Sequence, residues 1–557
     1  MTAKKDPKNT KHKPQEPKRT PLVKADNTPK KPEDKPKGPD PDFGISGNML
    51  LIITLTLAVL YFLFSLRSEG FYQQDEAAHY LSMKRFWHNP NLALSNWEKP
   101  GFKLVYALPA LLGSTFVKFV NCLFAAFSCF FAYRVAESYK VKIPLIAFIL
   151  LATQPFWVLL SFRNYSELLS AFLIIFGLYW HRKAQFYVSA LVISYVAFVR
   201  QEFYPFLALY GLYLLWQKQF VAAVLLAVFP LVHNTWGWAV SSDPLYLLNQ
   251  ILKANKEIGD NYPRQGFEHY FLMSGTIYGG LALTCLIAYF AIKILQKKAA
   301  EWFLIVPTLL YFLMYCVFNI QSYPMGPSTA GNLRYLIIIS PLIAVIGALA
   351  VSEYKSTEGG WRILYGLLPF MFLFGIYMTY EHNNIVLVEE IRDFKPLFGV
   401  ILAMLLLLLP LNNKQHVFSF TGASLFMALI LVRPLPLSEE DKTCQRLAKW
   451  FLKYEEEQKT LKKPIGQIFV NHSMFYYFAD RIPESFEKTA QGMNKGSVEK
   501  AQKGDILIWD SHYCIYHEKR RPNGVSYESL MTLGQYPPLY EQRAADNTFA
   551  ATVVVKK

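Results

Sequence analysis

MLLIITLTLAVLYFLFSL, residues 49–66, is an uncharged apolar run that decides the class of the chain. At 1.5 Å per residue a helix of this length spans roughly 27 Å, close to the hydrocarbon core of a bilayer. Similar runs recur at 115–136, 143–162, 168–180, 186–199, 203–216, 220–232, 270–292, 302–318, 335–351, 363–380, 398–411 and 417–432. The run at 104–112 is too short to cross alone. The reading is an all-α polytopic membrane domain of about 13 transmembrane helices. Over the 557 residues, 53% are hydrophobic and only 18% are charged. A soluble protein has about a quarter charged, which excludes an ordinary cytosolic enzyme.

The net charge of +16 suggests nucleic acid until its location is considered. Residues 1–43 form a Lys-, Pro- and Asp-rich tail that lacks the apolar surface to offset its ordering entropy; it is expected to be disordered. With the tail on the cytoplasmic side, every inner loop between spans holds at least one Lys or Arg, as the positive-inside rule requires. The charge thus belongs to the inner face of a cell membrane, and no nucleic-acid partner is expected. An odd number of spans places residues 434–557 outside. Strand-like runs at 467–470, 505–509 and 552–555 make that segment a small extracytoplasmic α/β domain, leaving 44–433 as the membrane domain. Cys444 and Cys514 are the two cysteines available for a disulfide in an oxidising compartment.

The first outer loop reads FYQQDEAAHYLSMKRFWHNP (71–90), and WEKPGFKLVYALPALLG (97–113) leads into the following apolar run. Asp75 and Glu76 follow the first span; Glu98 and Lys99 precede Pro100. Arg163, Arg200 and Arg334 stand at outer span ends, against the charge bias. Arginine near the bilayer is expensive and takes a partner. One reading pairs each with a carboxylate: Glu167 lies one turn from Arg163, and Glu202 lies beside Arg200. The other makes the three a site for an anionic ligand, since guanidinium suits phosphate.

Asp75-Glu76 with Tyr80, and Glu98-Lys99-Pro100, resemble the two acidic loop motifs of the C superfamily of membrane glycosyltransferases (GT-C). The branch is that of protein O-mannosyltransferases and the transferases that add aminoarabinose to lipid A. Gly101 stands where many members have a second proline. Arg334-Tyr335…Pro341 and Arg200-Gln201-Glu202 resemble further breaks between spans in that branch. The resemblance implies transfer of one sugar, a hexose such as mannose, from a polyprenyl-phosphate donor to an acceptor hydroxyl on a protein, glycolipid or glycan at the outer face, with inversion. It gives Asp75 the part of base, Glu76 and Glu98 supporting catalytic parts, and Lys99, Arg334, Arg200 and Arg163 the donor phosphate.

No cofactor is expected, and no metal: the outer loops lack Asp-x-Asp, and His79 and His88 lack a ligand set. Trp236, Trp238, Asp243, Tyr246, Tyr262 and Arg264 in the second outer loop are read as an interfacial belt, or alternatively as a sugar platform or lid. The rivals are an O-antigen-ligase-like transferase using a pyrophosphate-linked glycan, and a transporter or flippase. A transporter would show repeated halves and mid-membrane polar breaks; here the ionisable residues sit at outer helix ends.

Overall fold

The computed structural model describes residues 45–557 except 96, 258–263, 321–330, 356–359, 380–394, 464, 482–491 and 516–523. The basic tail and Tyr262 lie outside the described residues.

The membrane portion runs α1 (Gly47–Arg67), α2 (Asp75–Arg85), α3 (Pro100–Leu111), α4 (Ser114–Ser138), α5 (Leu145–Ala152), α6 (Pro155–Leu160), α7 (Ser166–Arg182), α8 (Phe186–Val199), α9 (Tyr204–Trp216), α10 (Phe220–Leu225), α11 (Val228–Ser241) and α12 (Tyr246–Glu257). It continues through α13 (His269–Leu295), α14 (Trp302–Phe318), α15 (Ser340–Tyr354), α16 (Trp361–Thr379), α17 (Lys395–Leu408) and α18 (Asn413–Leu431). Ser46 caps α1 by accepting from the Met49 amide. This helix is apolar all round, yet buries one stripe at Leu50, Thr54, Ala58, Tyr61 and Ser65, the spacing of a single helix face. Leu51, Ile52, Val59, Leu60 and Leu63 remain exposed on the rest of it, as a helix facing lipid requires. Among the described residues, five helices are long and apolar enough to cross a membrane: α1, α4, the 220–241 stretch, α13 and the 333–354 stretch.

Three expected spans differ in detail from their apolar runs. The 143–162 run breaks at Thr153–Gln154, because Pro155 lacks an N–H and restarts the chain as α6. The 220–232 run is longer than expected: α10 and α11 are linked through Leu226 and Ala227, both still in the helical region, and form one bilayer-length stretch to Ser241. The 335–351 run opens as a 3₁₀ turn over Leu333–Ile339 before Pro341 starts α15.

The C-terminal part has α19 (Glu439–Thr460), β1 (Ile468–Val470), α20 (Ser473–Phe478), α21 (Lys495–Lys500), β2 (Ile506–Asp510), α22 (Tyr527–Leu533), β3 (Tyr540–Arg543) and β4 (Ala550–Val555). The sheet order is β1-β2-β4-β3, with β1 parallel to β2 and the other pairs antiparallel. Ile508 faces Val553 in the central pair. Cys444, Leu447 and Phe451 of α19 cover one face, and Met493, Val498 and Leu530 cover the other. Both Cys444 and Cys514 are buried free thiols. The whole is therefore an α-helical membrane fold with a small mixed sheet.

This part is seated on the loop that follows α1. Ala77 and Leu81 of α2 join the core of α19 and α20. The Gly70 amide donates to Leu435 O at 2.7 Å, and the Leu435 amide to Ser68 Oγ at 2.9 Å. A Cβ at Gly70 would lie 2.0 Å from Pro436 O, so only glycine allows this crossing.

Candidate active site

Five helix ends meet above the bundle. Asp75 and Glu76 occupy the first turn of α2, Lys99 is the N-cap of α3, and Ser166 and Glu167 open α7. Arg200 ends α8, and Arg334 lies in the 3₁₀ turn before α15. Carboxylates at helix N-termini are favoured by the helix dipole, which explains why acids recur there.

The centre is Glu167, fully buried. Its Oε1 lies 2.7 Å from Arg200 Nη1 and 3.4 Å from Arg334 Nε. Arg334 also donates to Gln73 Oε1 at 2.5 Å and to Asp75 Oδ2 at 3.2 Å, and its guanidinium lies 4.4 Å from the Tyr165 ring centroid. Asn332 braces the same loop: its Nδ2 donates to Gln73 at 3.1 Å, and its Oδ1 accepts from Tyr72 at 3.2 Å. Arg200 pairs with Glu202 through Nε and donates to Ser166 Oγ at 3.1 Å and Tyr315 Oη at 3.3 Å. Lys99 Nζ donates to the same Ser166 hydroxyl at 3.0 Å. Lys99 itself holds φ 58°, a left-handed conformation that a non-glycine residue adopts at a cost and that aims its side chain here. Burial pushes the Lys99 amine down to about 8, with Glu167 opposing the shift and Arg200 and Arg334 adding to it.

One network thus joins Asp75, Lys99, Arg200 and Arg334. Asp75 is its accessible acid, with a side chain 40% exposed, against 0% for Glu167. An apolar cavity of about 410 Å³ lies between α7, α8, α9 and α14. It is lined at one end by Phe203 and Tyr311, which stack at 5.2 Å; Tyr311 contacts Tyr315, the partner of Arg200.

Three expected site residues stand elsewhere. Arg163 is 1% exposed, 3.3 Å from Glu76, and it also donates to Gly70 O at 2.5 Å and Ser68 Oγ at 3.0 Å. Its Nη donors are directed at the crossing between the first loop and residue 435, and its Nε at Leu159 O, so it ties the loop down. Glu76 is its partner, with Oε1 also capping the Tyr72 amide at 2.7 Å. Glu98 is enclosed by Ser82, Arg85 (3.2 Å) and Lys103 (3.3 Å), and Lys103 Nζ reaches His79 Nδ1 at 3.1 Å. It locks α2 against α3. Glu202 pairs with Arg200 as its position suggested, whereas Glu167 leaves Arg163 for the other two arginines.

No family model and no curated protein sequence matches the chain. Among solved structures, it matches ArnT from Cupriavidus metallidurans bound to undecaprenyl phosphate, with TM-score 0.57 and 10% identity over 91% of this chain and 98% of the other. The apo crystal structure of the same enzyme matches with TM-score 0.56, 11% identity and the same coverage. The chain has the fold of ArnT. ArnT is a lipid A aminoarabinose transferase of the GT-C class, the branch that the loop motifs resemble. With this ArnT-like fold and five bilayer-length helices, the chain is a multi-pass integral membrane protein.

Glu167, Ser166, Gln73, Asn332 and Tyr315 were not among the residues expected at the site. A buried glutamate at the N-terminus of a span was the available signal, since such a charge needs cationic partners.

Proposed function

We propose that this chain is a membrane glycosyltransferase that moves a single sugar from a polyprenyl-phosphate donor to an acceptor hydroxyl at the outer face, inverting the anomeric carbon. The observation that carries the proposal is the joining of one accessible carboxylate, Asp75, to Lys99, Arg200 and Arg334 in a network beside an apolar cavity. The likeness to an enzyme crystallised with undecaprenyl phosphate supports it. In this reading the cavity takes the start of the lipid chain. The arrangement further has about 13 spans, a cytoplasmic tail, a membrane domain of 44–433 and an extracytoplasmic domain of 434–557.

The charges suggest how the steps couple. Lys99, Arg200 and Arg334 are balanced by Asp75, Glu167 and Glu202, three against three. Asp75 takes the proton of the acceptor hydroxyl as the acceptor oxygen bonds to C1 and the C1–O bond to phosphate breaks. Once protonated, Asp75 loses its claim on Arg334 just as the leaving phosphate gains one negative charge. The guanidinium is released toward the phosphate when it is most needed there.

The acceptor is a protein, a glycolipid or a cell-wall glycan. A hexose such as mannose is the first donor to test. Purified protein should transfer label from one member of a panel of polyprenyl-phosphate sugars, with release of polyprenyl phosphate. Failure with every such donor, alongside transfer from a pyrophosphate-linked glycan, would overturn the reading.

A further inference from the structure

The C-terminal part holds a second cluster that sugar transfer does not use. Glu440 lies in the first turn of α19, His472 caps α20, and His512 follows β2. One ligand atom from each lies within 4.8 Å of the others. Glu440 Oε1 is 2.8 Å from His472 Nε2 and 2.7 Å from His512 Nδ1. The surroundings fix both rings. Asp510 Oδ1 accepts the His512 amide at 3.1 Å and the Tyr513 amide at 2.5 Å. The Tyr513 ring stacks on His512 at 4.4 Å and meets His472 edge-on at 5.0 Å.

Two imidazoles converge on that one carboxylate oxygen. Two imidazoles and a carboxylate are the ligand set of a zinc-class ion, with a fourth position left to water. Bonds of about 2.1 Å in a tetrahedron separate ligand atoms by roughly 3.4 Å. The present contacts must therefore open by roughly 0.6 Å. His512, whose side chain is 46% exposed, has the room. We propose that Glu440 Oε1, His472 Nε2 and His512 Nδ1 bind a divalent cation of the zinc class.

The cation would fasten the first outer loop. Gln74 lies beside Glu440, its side chain accepts from Tyr513 Oη at 2.9 Å, and it immediately precedes Asp75. The alternative is a hydrogen-bonded clasp without metal. In that state the Met474 amide donates to His472 Nδ1 at 3.3 Å, which leaves the ring proton on Nε2. Coordination by Nε2 moves this proton to Nδ1 and gives up that long bond, and a protonated ring must lose one proton altogether. Uptake must therefore weaken in acid.

The test reads metal content and stands independently of the sugar-transfer reading. The full chain, purified without a polyhistidine tag and stripped with EDTA, is dialysed against micromolar ZnCl₂ and its metal counted by mass spectrometry. About one zinc per chain is expected, together with a zinc-dependent rise in melting temperature. Cobalt in its place should give the visible bands of a four-coordinate ion. His472→Gln/His512→Gln should lose both responses, and His88→Gln should keep them. Should the double variant fail to fold, His512→Gln alone, at the exposed ligand, should weaken uptake by about tenfold or more, at least the loss that removing a partner of a ligand brings. Wild-type protein that binds no zinc at neutral pH, or uptake unchanged in His512→Gln, would leave a hydrogen-bonded clasp only and overturn the proposal.

Discussion

Asp75→Asn separates catalysis from stability by magnitude. The Asp75 side chain is 40% exposed and has one ionic partner, Arg334, at 3.2 Å. A partly exposed ion pair contributes about 0–1 kcal/mol, and the asparagine oxygen still accepts from Nη2, so the fold should lose less than about 1 kcal/mol. Loss of a general base costs about 100- to 10,000-fold in rate, or roughly 2.7–5.5 kcal/mol of barrier. The substitution also unbalances the cluster by one positive charge, so donor affinity should hold or rise while turnover collapses. Initial rates of transfer from labelled donor in lipid nanodiscs, donor binding and melting temperature would be measured on the same preparations. A folded Asp75→Asn that transfers within about fivefold of wild type would refute Asp75 as the base.

Arg334→Lys keeps the charge, but one ammonium cannot meet Gln73, Asp75 and Glu167 together, so donor KM should rise by about tenfold or more in steady-state kinetics. Arg163→Met should behave in the opposite way: it strands buried Glu76, so about 3–5 kcal/mol of stability goes in a denaturation series while donor KM in the surviving protein is unchanged. Lys99 has a folded pKa near 8, below its ordinary 10.5. The unfolded chain therefore binds more protons between those values, and Lys99 costs stability below about 8, a cost relieved as pH rises toward the unfolded value. Lys99→Met should accordingly raise the melting temperature at neutral pH, abolish the alkaline rise and weaken donor use; in wild type, kcat/KM for donor should fall above about pH 8 as the charge is lost.

The apolar runs were legible because bilayer thickness imposes a length that composition alone reveals. Their interruptions were less so: Pro155 breaks one run, but its apolar neighbours hid that from a hydropathy reading. Strands β1, β2 and β4 stood out as aliphatic runs, whereas β3, reading Tyr-Glu-Gln-Arg at the sheet edge, has no apolar signature. Asp75, Lys99, Arg200 and Arg334 stood out because charge at a membrane boundary is conspicuous, and the structure brings the four into one network. Which arginine takes which acid was not, since Glu167 is one turn from Arg163 in sequence but turns toward Arg200 and Arg334 in space. His472 and His512 stand 32 and 72 positions after Glu440, and no local spacing announces them.

Gly101, which follows Glu98-Lys99-Pro100, has a steric cause. A Cβ there would stand 2.9 Å from the Phe198 carbonyl carbon and 3.0 Å from its oxygen, and Tyr195 Oη donates to Gly101 O at 2.8 Å. The second acidic motif is therefore not a portable word in this chain: its backbone is fitted to the end of α8 that presses on it. A chimera given the proline form of 97–101 should misfold unless α8 travels with it.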